Sequence, residues 1–497
     1  MLKRILLFLF SIMMFLYYLF HAIQTPANSD FAAIILEARS IYEGNIFLSG
    51  WALSTVSFYT TDIPFYVIGM MILGPTHRLL YIVPSIIFVL TLAAALWVVY
   101  DGKRIRGSLL TFSFIGIPVG LFASISLTGP IHIAAIGLCL ICLKFLQLTK
   151  QKNMYYLYFG LLFCWTLIGD SLALWILGVP IVLLGAYRIY VTPMHWKREI
   201  ISPIIVCVAL LVSKAVLKLI AVSGGFVVPG AGQAMFTEIE NIGRNIYSTF
   251  YGLLELFNAN FFGRPIGSLQ TMILLFHFCA MILVFYIFGR IAYQMVKKSE
   301  NDYTNQLLVI SIAVTIAAYL FSNMNLGTDT TRYLIPVVFL GAVLVGRWFN
   351  TFEWNPNKNV IVAMVIGFYA LSMFSPFSLQ RDLNKMDKLQ VYLENQGLTN
   401  GYASYWLSSP ITVYSNAKVK VRQVTATSDE KITPFIFLAE KKWYDSSANF
   451  IMYDSSDWGS VNKLTAINTF GKPVKELQFE DVHILVWDKD ISKFLIR

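Results

Sequence analysis

The chain has 497 residues, of which 57% are hydrophobic, 15% aromatic and 13% charged, with a net charge of +10 and a mean hydropathy of +0.64. Soluble domains carry roughly 25% charged residues, so this composition excludes a soluble globular enzyme, a disordered chain and a disulfide-built secreted domain. It is the composition of a polytopic α-helical membrane protein.

A span needs about 20 apolar residues. The first in chain order is 5–22, directly after Lys3 and Arg4. Its apolar run exceeds that of a signal peptide and no A-x-A site follows, so it reads as a retained helix. The long outer loop 23–62 comes next. In it, Asn28-Ser29-Asp30 precedes FAAIILEARSIY, where apolar residues at helical spacing surround Glu37 and Arg39. That is the pattern of a helix lying at the membrane surface. Asp30 has two readings that can hold together: the N-cap of this helix, or a carboxylate held at the surface as a general base. Residues 58–74 are nearly long enough to span, but read as a second surface helix, with Tyr59 and Tyr66 near the headgroups. Asp62, just ahead of Pro64, is either a turn carboxylate or part of a site.

Arg78 opens the span 79–100, which ends in the basic DGKRIRG loop at 101–107. The spans 108–125, 130–147 and 154–169 follow. Asp170 lies in the turn before span 172–190, where it either caps the next helix or, as an ionisable group at membrane depth, marks function. Span 200–221 carries Lys214 and Lys218, four apart on one face, placed to snorkel to headgroups or to hold a phosphate. The loop 222–268 contains SGGFVVPGAG and then Glu238, Glu240, Arg244 and Tyr247 on an amphipathic stretch, which reads as a lid or as a passive surface helix. Spans 269–290, 305–322, 333–349 and 359–377 complete a set of eleven. Arg332 and Tyr333 stand in TDTTRYLIP at the entry to 333–349, where the Arg fork suits a phosphate or a headgroup.

With the N-terminus inside, the inner connections hold the basic clusters at Lys103-Arg104, Lys150, Lys197-Arg198 and Lys297-Lys298. The short outer loops hold only Arg39, Arg78, Arg244, Arg264 and Arg332. This asymmetry sets the orientation and accounts for the net charge without nucleic acid, and an odd number of spans leaves the tail outside. Cys139, Cys142, Cys164, Cys207 and Cys279 all fall in apolar runs, so no disulfide framework is expected, and the CxxC at 139–142 reads as packing. Residues 378–497 change character and read as a small extracytoplasmic α/β domain following a transmembrane domain at 1–377. Its expected elements are a helix at 383–397 and strands at 401–406, 411–414, 418–424, 434–438, 449–453 and 482–487.

No P-loop, GxSxG, HExxH or zinc-like Cys/His cluster is present. The order of the remaining parts is familiar: Asp30 early in the first loop, then Tyr42, Gly44 and Trp51, then IPFYVIGMMILG, Arg78, and much later Arg332-Tyr333-Leu334. In this the chain resembles the glycosyltransferase superfamily C, whose members include protein mannosyltransferases and bacterial lipid A aminoarabinose transferases. The resemblance runs over most of 1–377 and implies a bacterial, multi-pass plasma-membrane enzyme. Such an enzyme transfers a sugar from a polyprenyl-phosphate donor to a glycan, lipid or protein acceptor hydroxyl on the outer face, with inversion. It implies Asp30 as the catalytic aspartate and Arg332 as the cation at the leaving phosphate; Tyr333 beside it, and Lys214, Lys218, Arg78 and Arg244 by their own positions, are further binding candidates. Three positions depart from the family pattern: Phe31 follows Asp30, Gly129 stands before Pro130, and Ile63 precedes Pro64. Asp62 and Asp170 are the substitutes for the missing second carboxylate. Asp30, Asp62 and Asp170 together are also candidates for a divalent metal site. The competing classes are a polysaccharide polymerase or ligase and a lipid-linked glycan flippase. The early Asp30 and structured tail argue against the first, and the absence of a half-repeat against the second.

Overall fold

A computed structural model describes residues 2–100, 102, 105–229, 235–300, 302–351, 356–373 and 385–496. Parts of the basic loop at 101–107 and of the Gly-rich loop at 222–268, and all of 374–384 with the first residues of the expected 383–397 helix, lie outside the described residues.

Helix α1 (Leu2–Gln24) turns by 112° into α2 (Ser29–Tyr42). The turn is set by Asn28, which sits in extended backbone and accepts a hydrogen bond from the Phe31 N–H at 3.0 Å. Asn28 is therefore the N-cap, and Asp30 lies inside the first turn rather than at the cap expected for it. A two-residue strand, β1 (Trp51–Ala52), precedes α3 (Ile63–Leu73), which opens with Pro64 in its first turn. α3 buries Ile63, Tyr66 and Met70 on one helical face and exposes Ile68, Met71, Ile72 and Leu73. Tyr66, expected among headgroups, is buried because it shares the face of Ile63 and Met70.

The bundle continues with α4 (Leu79–Val99). The expected span 108–125 is broken: α5 (Arg106–Thr111) widens through Phe112–Gly116 and the chain bends by 86° into α6 (Gly120–Ser126). Pro118 cannot continue the helix, and Gly120 takes a left-handed φ of +56° that restarts it. Then come α7 (Ile133–Leu148), α8 (Met154–Gly169), α9 (Val179–Val191), the short α10 (Trp196–Glu199), α11 (Ile201–Val222) and α12 (Ile242–Leu256). The last helices of the bundle are α13 (Leu269–Val296), capped by Ser268, α14 (Tyr303–Phe321), capped by Asp302, α15 (Ile335–Asn350) and α16 (Pro356–Ser372). Among the described residues six helical stretches are long and apolar enough to cross a membrane, or eight if each of two bent pairs is one span. The chain is a mostly helical, multi-pass membrane protein. The sequence count of eleven includes α7 and α8, whose 16 residues each rise only about 24 Å.

α15 is the central helix, buried along nearly its whole length. It meets α5 at Gly346 and Gly107, where the two backbones touch. A Cβ on Gly107 would lie 2.1 Å from the Gly346 carbonyl oxygen, and one on Gly346 would lie 2.1 Å from Thr111 Oγ1. Such small-residue contacts replace the hydrophobic drive that lipid cannot supply.

The C-terminal part holds α17 (Lys385–Asn395), β2 (Asn400–Ala403), α18 (Tyr405–Tyr414), β3 (Lys420–Ala426), β4 (Ile432–Pro434), β5 (Ala439–Glu440), β6 (Phe450–Tyr453), α19 (Lys463–Phe470), β7 (Lys475–Phe479) and β8 (Val482–Val486). Six strands form one sheet in the order β4-β3-β2-β6-β8-β7, with β2 parallel to β3 and β6 and the other neighbours antiparallel. Residues 411–414, expected as a strand, belong to α18, which is buried nearly all round between α2 and β3. Packing there overrides the β preference of Ile411 and Val413. Of 434–438 only Pro434 pairs in a strand, because Phe435 and Phe437 turn in to pack on Tyr405. This part is fastened to the bundle: β1 pairs antiparallel with β5, Trp51 packs edge-on to Trp443 at 4.9 Å, and the Tyr81 and Tyr414 hydroxyls lie 2.5 Å apart.

Candidate functional site

Four chain segments end together at one end of the bundle. The loop before α3 is tied to the C-terminus of α8 by the Phe58 N–H donating to the Gly169 carbonyl at 2.8 Å and the Thr60 hydroxyl donating to the Trp165 carbonyl at 2.6 Å. Trp165 Nε1 donates back to the Thr60 carbonyl at 2.7 Å. These bonds place Asp62, two residues on, beside Asp170. The turn before α7 adds His132, whose Nδ1 lies 2.7 Å from Asp170 Oδ2, both side chains buried. His132 adopts a left-handed φ of +58°, a conformation that costs a non-glycine residue roughly 1 kcal/mol; local strain of this kind clusters at functional sites. Asp170 Oδ1 accepts from the Leu172 N–H at 2.9 Å. Asp170 thus bonds the backbone that opens the next helix, as its capping reading expects, and also pairs with His132.

Asp62 is buried, and among the described residues its Oδ2 has no hydrogen-bond partner. Burial pushes its carboxyl up to about 7, opposed by the Thr61 hydroxyl, helped by the Asp170 charge and opposed again by His132. The turn 327–334 ahead of α15 closes the group. The Tyr333 ring centre lies 5.5 Å from that of His132, and Arg332 lies over the Tyr333 ring at 5.5 Å with its Nε buried and unpartnered among the described residues. α12 packs on this turn, with Gly252 against Thr331, while Asn245 and Ser248 bond the segment just ahead of it, Ser248 to Asn325 at 2.8 Å. The amphipathic stretch of loop 222–268 therefore covers the segment that carries Arg332.

Asp30 belongs to a second group. Its Oδ1 accepts a hydrogen bond from the Tyr405 hydroxyl, and the Ser29 hydroxyl donates to the Tyr405 carbonyl. Glu37, two turns along the same face of α2, is buried, which holds its carboxyl well above the usual range. Burial, then the Asp30 and Glu37 carboxylates, push the Tyr405 phenol up. The three aspartates do not assemble into a cation site. Among the described residues no group of three or more His, Cys, Asp or Glu is placed to hold a metal ion. Lys214, Lys218, Arg78 and Arg244 are exposed, and among the described residues none of them makes a hydrogen bond or ion pair with either group.

Sequence reasoning missed His132 and Tyr405. His132 carries a signal, being the one ionisable residue between Gly129-Pro130 and the apolar start of α7. Gly129 itself has no room for an acid, since a Cβ there would lie 2.4 Å from the Tyr66 hydroxyl. Tyr405 carries none, standing far along the chain from Asp30 in a segment that reads as polar tail.

No protein-family model matches the sequence, and no curated relative does. The architecture does match solved structures. The Archaeoglobus fulgidus oligosaccharyltransferase in complex with zinc and sulfate superposes with a TM-score of 0.51 at 12% identity, over 89% of this chain and 68% of that one. The chain shares the fold of that oligosaccharyltransferase. The archaeal oligosaccharyltransferase AglB from the same organism, in complex with an inhibitory peptide and a dolichol-phosphate, gives a TM-score of 0.49 at 9% identity over 90% of this chain and 70% of that one. In this fold both acidic groups draw on the loop after α1, Asp30 from its start and Asp62 from its end.

Proposed function

We propose that the chain is a membrane glycosyltransferase that moves a sugar from a lipid-phosphate-linked donor to an acceptor hydroxyl at the outer membrane face, with inversion. The observation that carries this reading is the buried Asp62 carboxyl, its Oδ2 without a hydrogen-bond partner among the described residues, beside the His132–Asp170 pair that the Tyr333 ring adjoins. A carboxyl that titrates near 7 is matched to taking a proton at neutral pH. Asp62 takes the proton of the acceptor hydroxyl, the oxygen attacks the anomeric carbon, and the bond to the lipid phosphate breaks. Negative charge grows on that phosphate, and the Arg332 fork is the fixed cation that stabilises it. His132 and Asp170 hold each other in place and set the field around Asp62, while the Tyr333 ring offers a face to the sugar. The oligosaccharyltransferase with this fold was crystallised with zinc. Asp62, His132 and Asp170 do not form a three-ligand set, and no step here runs through a metal.

A second reading makes Asp30 the base. It is favoured by the Tyr405 hydroxyl on its carboxylate, which occupies the place an acceptor hydroxyl would take. The test uses the purified full-length protein with radiolabelled polyprenyl-phosphate sugars and an envelope extract as acceptor. Label transfer by wild type and by Asp30→Asn, but not by Asp62→Asn, supports the first reading. Transfer by Asp62→Asn and not by Asp30→Asn supports the second. A folded wild type that transfers no label from any donor overturns both.

A further inference from the structure

At the opposite end of the same helices lies a cavity of about 730 Å³. Its wall carries Lys144 at the end of α7, Lys150 just beyond, Arg188 in the last turn of α9, Arg198 ahead of α11 and Arg347 near the end of α15. The wall also holds Glu199 and Asp302, and both carboxylates are engaged, Glu199 by Arg188 at 2.9 Å and Asp302 by Arg347 at 2.9 Å. Among the described residues Lys144, Lys150 and Arg198 make no ion pair, although the Lys150 charge also acts on Asp302. Lys144 decides the chemistry: it is only 8% exposed, and its Nζ has the Tyr100 carbonyl at 3.5 Å and the Trp97 ring at 5.7 Å, with no carboxylate paired to it among the described residues. A cation this buried calls for an anion.

An apolar groove of about 410 Å³ begins at the same Trp97 and runs between α4 and α7, past Leu90 and Ala93 on one side and Gly137, Leu138 and Ile141 on the other. Leu90 and Trp97 leave 49% and 42% of their surface open along it. Charge and hydrocarbon surface therefore adjoin at Trp97. The asymmetry of Lys and Arg along the chain assigns this end to the cytoplasmic leaflet.

We propose that the cavity and groove together bind one anionic phospholipid of that leaflet. Lys144, Lys150 and Arg198 hold its phosphate, and one acyl chain lies between α4 and α7. Basic pockets between helices on this side of a membrane select anionic headgroups. A free phosphate would answer the cations but leave the groove unfilled, so the continuity of the two argues for the lipid.

Purified full-length protein in detergent, mixed with dioleoylphosphatidylglycerol, dioleoylphosphatidylcholine or inorganic phosphate, is followed by native mass spectrometry and thermal midpoint. The expected result is one retained phosphatidylglycerol per chain and a raised midpoint, with neither given by phosphatidylcholine or phosphate. Lys150→Gln with Arg198→Gln removes two exposed cations without opening the core, and should weaken retention on the order of twentyfold. Ala93→Trp fills the exposed side of the groove without touching a charge and should weaken it as well. Equal retention of the two lipids, or undiminished retention by the double Gln variant, overturns the site. A midpoint shift by inorganic phosphate equal to that by phosphatidylglycerol, or wild-type retention by Ala93→Trp, overturns the lipid assignment.

Discussion

Asp62 is buried with its carboxyl raised to about 7, and that links activity and stability in opposite directions. As the base it must be ionised, so kcat/KM for sugar transfer should rise through pH 7 and level off above it. Stability moves the other way. An unfolded aspartate ionises near 3.9, so between about pH 4 and pH 7 the unfolded chain gives up a proton that the folded chain still holds, and folding loses stability as pH rises through that window. The resulting loss is roughly 4 kcal/mol once pH exceeds both values. Asp62→Asn should therefore abolish transfer while melting above wild type at pH 8, with the two midpoints converging near pH 4. Wild-type and variant midpoints that run parallel from pH 4 to 8 would show that Asp62 is an ordinary solvated acid. Arg332 offers a separate test through its geometry. Arg332→Lys keeps the charge and loses the fork, so kcat should fall roughly 100-fold with a smaller change in KM. Equal kcat in the two proteins would reduce Arg332 to a headgroup contact.

At the scale of elements, the membrane bundle depends on close backbone approaches more than on apolar area. The α5–α15 crossing is the sharpest case. Gly107 and Gly346 leave no room for a Cβ, and the Asn350 side chain accepts from the Gly107 N–H at 3.1 Å and donates to the Val99 carbonyl at 3.0 Å. Gly346→Val should force the helices apart and destabilise the fold by about 3 kcal/mol or more, since overpacking and broken hydrogen bonds add. Thermal melting in detergent would show it; an unchanged midpoint would mean the crossing is looser than its geometry. The helices were legible in the sequence because each is an apolar run bounded by charge or by Pro and Gly. The break between α5 and α6 was signalled by Pro118 and Gly120, yet its apolar flanks read as one span. α18 was illegible because Ile411 and Val413 fit a strand locally and only burial against α2 makes them helical. Asp30, Asp62, Asp170 and Arg332 could be singled out as ionisable residues at the ends of apolar runs. Their division into two groups could not, since it depends on the loop at 57–62 folding back on α8 and on Tyr405 reaching Asp30.

For the whole molecule, the open mechanical question is whether the C-terminal sheet rides on the bundle or lifts during turnover. It is held by the β1–β5 pairing, by Trp51 against Trp443, by Tyr81 with Tyr414, and by Tyr405 on Ser29 and Asp30. With Asp62 as the base, the contact of Tyr405 with Asp30 is structural and the sheet stays in place. With Asp30 as the base, Tyr405 must leave before an acceptor can bind. Ala52 and Ala439 stand opposite each other in the β1–β5 pair, at a Cα separation of about 5 Å in such a pair and hence within reach of a disulfide. In an Ala52→Cys, Ala439→Cys variant the oxidised enzyme should transfer sugar at close to its reduced rate, because Asp62 and Arg332 lie on segments the link does not touch. Loss of transfer on oxidation, restored by reductant and absent from each single variant, would instead show that the sheet must open, and would move the proton transfer from Asp62 to Asp30.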